Sequence, residues 1–181
     1  MMRVLFRIFG SLAALLVLFL TVGLFLPGTW SAEGSVWLGV PPREVFPYLN
    51  DLALWDAWTP WGDVESTFDG QTTGVGSRRS WDHPNLGSGS ITITESDPYR
   101  LVRYRVVIED GALLIEGAIV LESAEDGSTV TWSEAGDFGW NPLMGFTALT
   151  MTRSQSAQLE RGLRELKSLL ADPRASGSPS R

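Results

Sequence analysis

Between Val4 and Leu26 the chain runs apolar for about 23 residues with one charge in it, Arg7. Crossing the hydrocarbon core of a bilayer takes roughly 20 such residues in a helix. Lipid offers no partner to a backbone polar group, so a segment of this kind spans as a helix. The chain after Pro27 is then expected to be one domain tethered at a membrane surface. A cleaved signal peptide and a buried internal helix are the alternatives. A cleavable apolar region is about 7 to 15 residues long and ends at a small-residue site. This run is longer, and Pro27-Gly28-Thr29-Trp30-Ser31-Ala32 matches such a site poorly. An uncleaved signal anchor is therefore the favoured expectation. Arg3 and Arg7 flank the start of the run, and no Lys or Arg comes after it until Arg43. By the positive-inside rule the N-terminus is cytoplasmic and the domain extracytoplasmic.

The expected division is 1-28 transmembrane anchor, 29-171 domain and 172-181 disordered tail, rich in Ser, Pro and Gly. Setting Arg3 and Arg7 apart from the 14 basic residues leaves 12 against 21 acidic ones, a net charge of −9. Nucleic acid needs a basic stripe, so it is excluded as a partner. The same charge argues against binding anionic headgroups through the domain surface. With no cysteine, disulfide and thiol chemistry do not arise. Eight tryptophans either line a hydrophobic pocket or fill a core, and for most of them the core is the favoured expectation.

Residues 31–40 read as a strand, and Pro41-Pro42 open a short helix over 43–49, with Pro47 limiting its length. Asn50-Asp51 caps a second short helix, 52–58. From Val64 the period changes to that of strands: 64–69, 77–83, 88–95, 101–109, 112–123 and 128–135. Asp110-Gly111 and Glu125-Asp126-Gly127 mark tight turns between them. Short turns between successive strands give an antiparallel meander. A long helix over 142–170, with Asn141 as a fair cap, closes the chain. The expected fold is α+β: a seven-stranded curved antiparallel sheet wrapped around the C-terminal helix, two short helices after the first strand, and a cavity between sheet and helix.

This order is similar to the helix-grip fold of the SRPBCC superfamily, the START-related polyketide cyclase/dehydrase and lipid-transport group. VPPREVFPYLNDLALWDAWTPW (40–61) resembles the family's opening P-x-x-V-F-x-x-L-x-D-x-x-x-W-x-x-W. TTGVGSRRSW (72–81) resembles its G-x-G-x-x-x-x-W turn and strand. GSITITESDPYRLVRYRV (89–106) resembles its strand-turn-strand, and GSTVTWSEAGD (127–137) its last strand. Together they cover nearly the whole of the chain after the anchor. The resemblance implies a cavity for a hydrophobic ligand. It implies no fixed chemistry, because one fold hosts many functions.

The residues offer little catalytic machinery. His83 is the sole histidine, placed by Trp81-Asp82 and Pro84 at a strand end, and reads as a turn or rim residue rather than a base. With no cysteine beside it, a zinc site is not expected, nor is any other metal or cofactor. Gly74-x-Gly76 precedes no helix and reads as a hairpin turn, not a phosphate cradle. The better candidates lie on inward strand faces. Alternation puts Val130, Trp132 and Glu134 on one face of the last strand, and Thr129, Thr131 and Ser133 on the other. A carboxylate beside Trp132 would have a raised pKa and could donate a proton or hydrogen-bond a ligand, but a solvated strand end is the favoured expectation. Val102, Tyr104, Val106 and Ile108 share a face, with Arg103 and Arg105 outward; Ile91, Ile93 and Glu95 share another. On the long helix an apolar stripe of Leu149, Leu159, Leu163, Leu166 and Leu170 passes through Thr152 and Ser156. Hydroxyls in such a stripe point to a hollow, or else to solvent if the helix is rotated.

The leading reading is a membrane-anchored, non-enzymatic binding module for a hydrophobic small molecule or lipid. Its ligand site would be walled by Trp81, Ile93, Tyr104, Ile115, Trp132, Glu134, Thr152 and Ser156. The second is a cyclase/dehydrase-type enzyme on a polyketide-like substrate, with Glu134 or Tyr104 moving protons. The third is an interaction domain with no pocket.

Overall fold

The computed structural model describes residues 2–62, 64–84 and 87–171; the expected tail, 172–181, lies outside the described residues. Helix α1, Met2–Phe25, leads into strand β1, Thr29–Leu38. One stretch of α1, Arg7–Phe25, is long and apolar enough to cross a membrane. Helix α2, Pro42–Asn50, has Pro in its first turn, where a missing N–H costs nothing. Asp51 then caps a 3₁₀ helix, Leu52–Ala57, by accepting a 3.0 Å hydrogen bond from the Ala53 N–H.

Strands β2 (Ser66–Phe68), β3 (Arg78–His83), β4 (Gly87–Asp97), β5 (Leu101–Ile108), β6 (Leu113–Ala124) and β7 (Gly127–Asp137) come next, and helix α3, Met144–Ala171, ends the described chain. The seven strands form one antiparallel sheet in the order β1-β7-β6-β5-β4-β3-β2. Only β1 departs from the meander: it crosses to pair with β7, from Thr29 against Asp137 to Leu38 against Ser128. α3 lies across the inner face of the sheet, close to β1 and β7. This is the α+β helix-grip arrangement expected from the element order.

Alternation holds along β7, where Val130, Trp132 and Glu134 are buried, and along β5, where Val102, Tyr104 and Val106 are. It fails once. A bulge in β4 between Ile93 and Glu95 shifts the register, so Glu95 leaves the face it was expected to share with Ile91 and Ile93. Glu95 instead stands on the outer face, 3.1 Å from Arg103.

The stripe on α3 is also displaced. Leu149 and Thr152 are exposed and Ser156 is half-buried. The buried face runs Gly145, Ala148, Gln155, Leu159, Leu163 and Leu166, with Met151 packed against the core. The sheet curls round one flank of the helix, so the inward direction turns along its length. A periodicity that fixes that direction from the C-terminal leucines carries the error into the N-terminal half.

Four of the eight tryptophans, Trp30, Trp55, Trp58 and Trp132, are buried in the core. Trp55, Trp58 and Trp132 are fully buried. The Trp55 and Trp58 indole N–H groups donate to the carbonyls of Leu49 and Tyr48 at the end of α2. Trp55 meets Tyr104 edge-on at 5.1 Å between ring centroids, and Trp58 meets Trp132 at 5.2 Å. Trp37 and Trp140, by contrast, are exposed.

Candidate functional site

A cavity of 220 Å³ lies between the sheet and α3. Aromatic and aliphatic side chains make most of its wall: Trp55, Trp61, Trp81, Ile91, Val106, Ile108, Ile115 and Met151. The polar wall groups are Arg79, Glu134, Gln155 and Gln158.

Glu134 is only 2% exposed, and its two bonded partners are neutral. Tyr104 Oη donates to Oε1. Gln155 Nε2 donates to Oε2 at 2.6 Å, and Trp132 Nε1 donates to Tyr104 Oη at 2.7 Å. Four side chains from β5, β7 and α3 thus form one chain of hydrogen bonds behind the cavity wall. Desolvation raises the Glu134 pKa above that of an ordinary carboxyl, and the two donated hydrogen bonds offset only part of it. Burial, then the neighbouring Glu134 charge, lifts Tyr104 well above the usual phenol value. Tyr104 fits here because Gly117 faces it on β6: a Cβ at that position would lie 2.0 Å from the tyrosine ring.

Arg79 is buried too, but its charge is spoken for. Nη1 lies 2.5 Å from Asp56 Oδ1, Nε donates to Ser66 Oγ, and Nη2 donates to the carbonyls of Trp61 and Val64. Arg79 therefore ties the segment after the 3₁₀ helix to β3 and closes one end of the cavity. The Trp81 indole N–H is buried with no hydrogen-bond partner among the described residues. A buried donor of this kind loses its hydration without replacement.

Of the residues singled out from the sequence, Trp81, Ile115 and Glu134 line the cavity. Tyr104 and Trp132 stand behind Glu134 and hold it. Ile93 is sealed in the core away from the cavity, Thr152 faces solvent, and Ser156 borders a second, more open hollow of 540 Å³ that also has Glu134 in its lining. Gln155 escapes sequence reasoning because a long amide on a helix is ordinarily solvated, although it stands four residues before Leu159 on the same stripe. Arg79 was missed as well, although alternation along β3 places it on the face that carries Trp81, two residues further on. Among the described residues no group of three or more His, Cys, Asp or Glu is placed to hold a metal ion.

The family model for polyketide cyclase / dehydrase and lipid transport matches residues 29–171. No curated protein matches the chain by sequence. Among solved structures it is similar to the di-domain ARO/CYC StfQ from the steffimycin biosynthetic pathway, with 14% identity and a TM-score of 0.61 over 82% of this chain and 52% of that one. It is also similar to DynU16 from the dynemicin biosynthetic locus, at 13% identity and TM-score 0.57, over 77% of this chain and 46% of the other. The Aha1 protein of Colwellia psychrerythraea aligns at 16% identity and TM-score 0.56 over 81% of this chain and 98% of its own. The chain thus spans about half the length of two of these three proteins. At these identities the likeness shows a shared fold.

Proposed function

The chain belongs to the polyketide cyclase/dehydrase and lipid transport family, and from that premise we propose that it is a membrane-anchored binding module for one compact hydrophobic molecule or lipid segment. Residues 1-28 serve as the uncleaved anchor, with the N-terminus cytoplasmic, and 29-171 as the binding unit outside. The observation that carries the reading is the apolar cavity between sheet and α3, with the Glu134 carboxyl in its lining. Apolar contact supplies affinity at about 25 cal/mol per Å² buried. The Glu134 carboxyl orients a ligand that bears a hydroxyl or an N–H.

Size narrows the ligand class. At 220 Å³ the cavity lies below the range of about 300–1,000 Å³ that holds drug-sized molecules. A single- or double-ring compound, or the end of an acyl chain, fits; a polycyclic polyketide does not without the wall opening. The test is titration of the full chain in nanodiscs with 2-naphthol, read by quenching of naphthol or tryptophan fluorescence. Saturable binding at one site is expected, and Val106→Phe, which fills the cavity from β5, should abolish it. Unsaturable partitioning equal in wild type and variant refutes the reading.

A cyclase/dehydrase-type enzyme is the second reading, favoured by one observation: Glu134 holds its proton to higher pH than an ordinary carboxyl and borders the cavity. It predicts that Glu134→Gln removes turnover of an identified substrate by about two orders of magnitude while leaving binding intact.

A further inference from the structure

The last two turns of α1 pack against the domain. Phe19 stacks on Phe146 in the first turn of α3, with ring centroids 4.3 Å apart and planes 5° apart. Glycine on each side permits the approach. A Cβ at Gly23 would lie 2.0 Å from the Pro142 carbonyl oxygen, and one at Gly145 would lie 2.5 Å from Leu26 Cβ. Phe19 stands six residues before Phe25, about 9 Å along a helix axis. The stretch that contains both is the one apolar enough to cross a bilayer. Wherever lipid surrounds the end of α1, it meets the start of α3 at the same depth.

The surface there has the matching chemistry. From Phe138 through Thr152 the chain carries no charged residue, although 19% of the whole sequence is charged. Trp140 is 88% exposed, and Leu143, Met144 and Leu149 also stand open. Single exposed apolar residues are ordinary on soluble domains. Here they are grouped, free of charge and continuous with the apolar surface of α1. The backbone is prepared as well: Asn141 Oδ1 accepts from the Leu143 N–H at 3.0 Å, and its carbonyl accepts from the Met144 N–H at 2.9 Å. Two donors that begin the helix are thereby covered, as an apolar surrounding requires.

We propose that the start of α3 and the loop before it are embedded in the leaflet that holds the end of α1. Trp140 lies at headgroup level, where indoles concentrate. Leu143, Met144 and Leu149 lie against acyl chains. The proposal rests on α1 being an uncleaved span. It has a consequence for the cavity, because Met151 in the cavity wall is five residues beyond Phe146, about 8 Å along the helix. The cavity then sits beside the bilayer, and an apolar ligand reaches it from lipid without crossing water.

The lack of cysteine allows a direct depth measurement on the full chain. Single substitutions Leu143→Cys, Leu149→Cys, Leu16→Cys and Val75→Cys, all at exposed positions, are spin-labelled and reconstituted into phosphatidylcholine vesicles. Power saturation then compares collision with oxygen and with a water-soluble nickel chelate. Labels at 143 and 149 should favour oxygen several-fold, as the label at 16 does, while the label at 75 favours nickel. If 143 and 149 behave like 75 while 16 stays in lipid, the anchor stands and the embedded start of α3 is refuted. A nickel-accessible label at 16 overturns the anchor and this inference together.

Discussion

Replacing Glu134 by Gln should make the protein more stable as pH rises, relative to wild type. Glu134 is buried without a cationic partner, and desolvation raises its folded-state pKa above the ordinary value of 4.5. Between the ordinary and the raised value, the native state keeps a proton that the unfolded chain has released. Stability from this site is thus fully present below about pH 4.5 and is lost as pH rises through the folded value. For one proton the slope is at most about 1.4 kcal/mol per pH unit. Each unit by which the folded pKa is raised adds that amount to the total loss. The amide of the Glu134→Gln variant has no proton to lose. Its carbonyl still accepts from Tyr104, and a flip of the Gln155 amide turns that side chain into an acceptor for the new NH₂. At pH 4 the two proteins should differ by no more than an ordinary hydrogen bond, about 0.5–1.5 kcal/mol. Urea unfolding in nanodiscs, monitored by tryptophan fluorescence at pH 4 to 9, gives the difference directly. Surface carboxylates titrate in both proteins and cancel. A difference that is flat across this range, or that grows in favour of wild type, refutes the claim that Glu134 is a desolvated acid.

Tyr104→Phe should extend that window to higher pH, since it removes a hydrogen bond that favours the charged carboxylate, and should also cost about 1–3 kcal/mol for the orphaned Trp132 N–H; the same urea series reads both. Gly117→Ala drives a methyl group into the Tyr104 ring and should destabilise by about 1–3 kcal/mol or more, the scale of overpacking, with weaker naphthol binding as Tyr104 and Glu134 shift. Asp56→Ala leaves the buried Arg79 guanidinium on neutral acceptors alone. Asp56 is itself 47% exposed, so the cost should be that of one hydrogen bond to a charge, about 1.5–3 kcal/mol, rather than that of a fully buried pair. A urea midpoint unchanged by Asp56→Ala shows that the ion pair contributes nothing.

What could be read from the sequence was what local period controls. The strands and the meander from β2 to β7 come from alternation and turn chemistry, since each strand has one wet face and one dry one, whereas the pairing of β1 with β7 joins segments about 100 residues apart and leaves no local mark. Glu134 came from the same rule, because Val130 and Trp132 fix the face of β7 and no bulge intervenes. Glu95 did not, because a bulge is one inserted residue and leaves no mark in a run such as Ser90 to Asp97. The position of α3 was legible but its rotation was not. Gln155 takes the inward place four residues before Leu159 because Glu134 waits there to accept its amide, and a partner on another element has no trace in the helix's own sequence. Trp61 illustrates the same limit. It lines the cavity with its carbonyl bound by Arg79, eighteen residues later, and its ring against Trp55 and Trp132.

Binding and catalysis make different demands on Glu134, and the geometry meets those of binding more fully. A general acid must deliver its proton to the substrate and recover it, which calls for a free path from the carboxyl and a second group to complete the cycle. Both Glu134 oxygens already accept hydrogen bonds from protein, one from Tyr104 and one from Gln155. Among the described residues, the other ionisable group in the cavity wall is Arg79, and its donors are engaged by Asp56, Ser66, Trp61 and Val64. Each carboxyl oxygen keeps a further lone pair, so Glu134 can still receive a hydroxyl or an N–H from a ligand. One acceptor set in an apolar wall fixes an orientation, and it moves no proton. Glu134→Gln preserves one acceptor oxygen and should therefore change the affinity for an oxygen-bearing ring compound by no more than about 0.5–1.5 kcal/mol. Naphthol titration of the variant measures this. A hundredfold loss of turnover on a substrate that still binds with wild-type affinity would make Glu134 an acid catalyst and the cavity an active site.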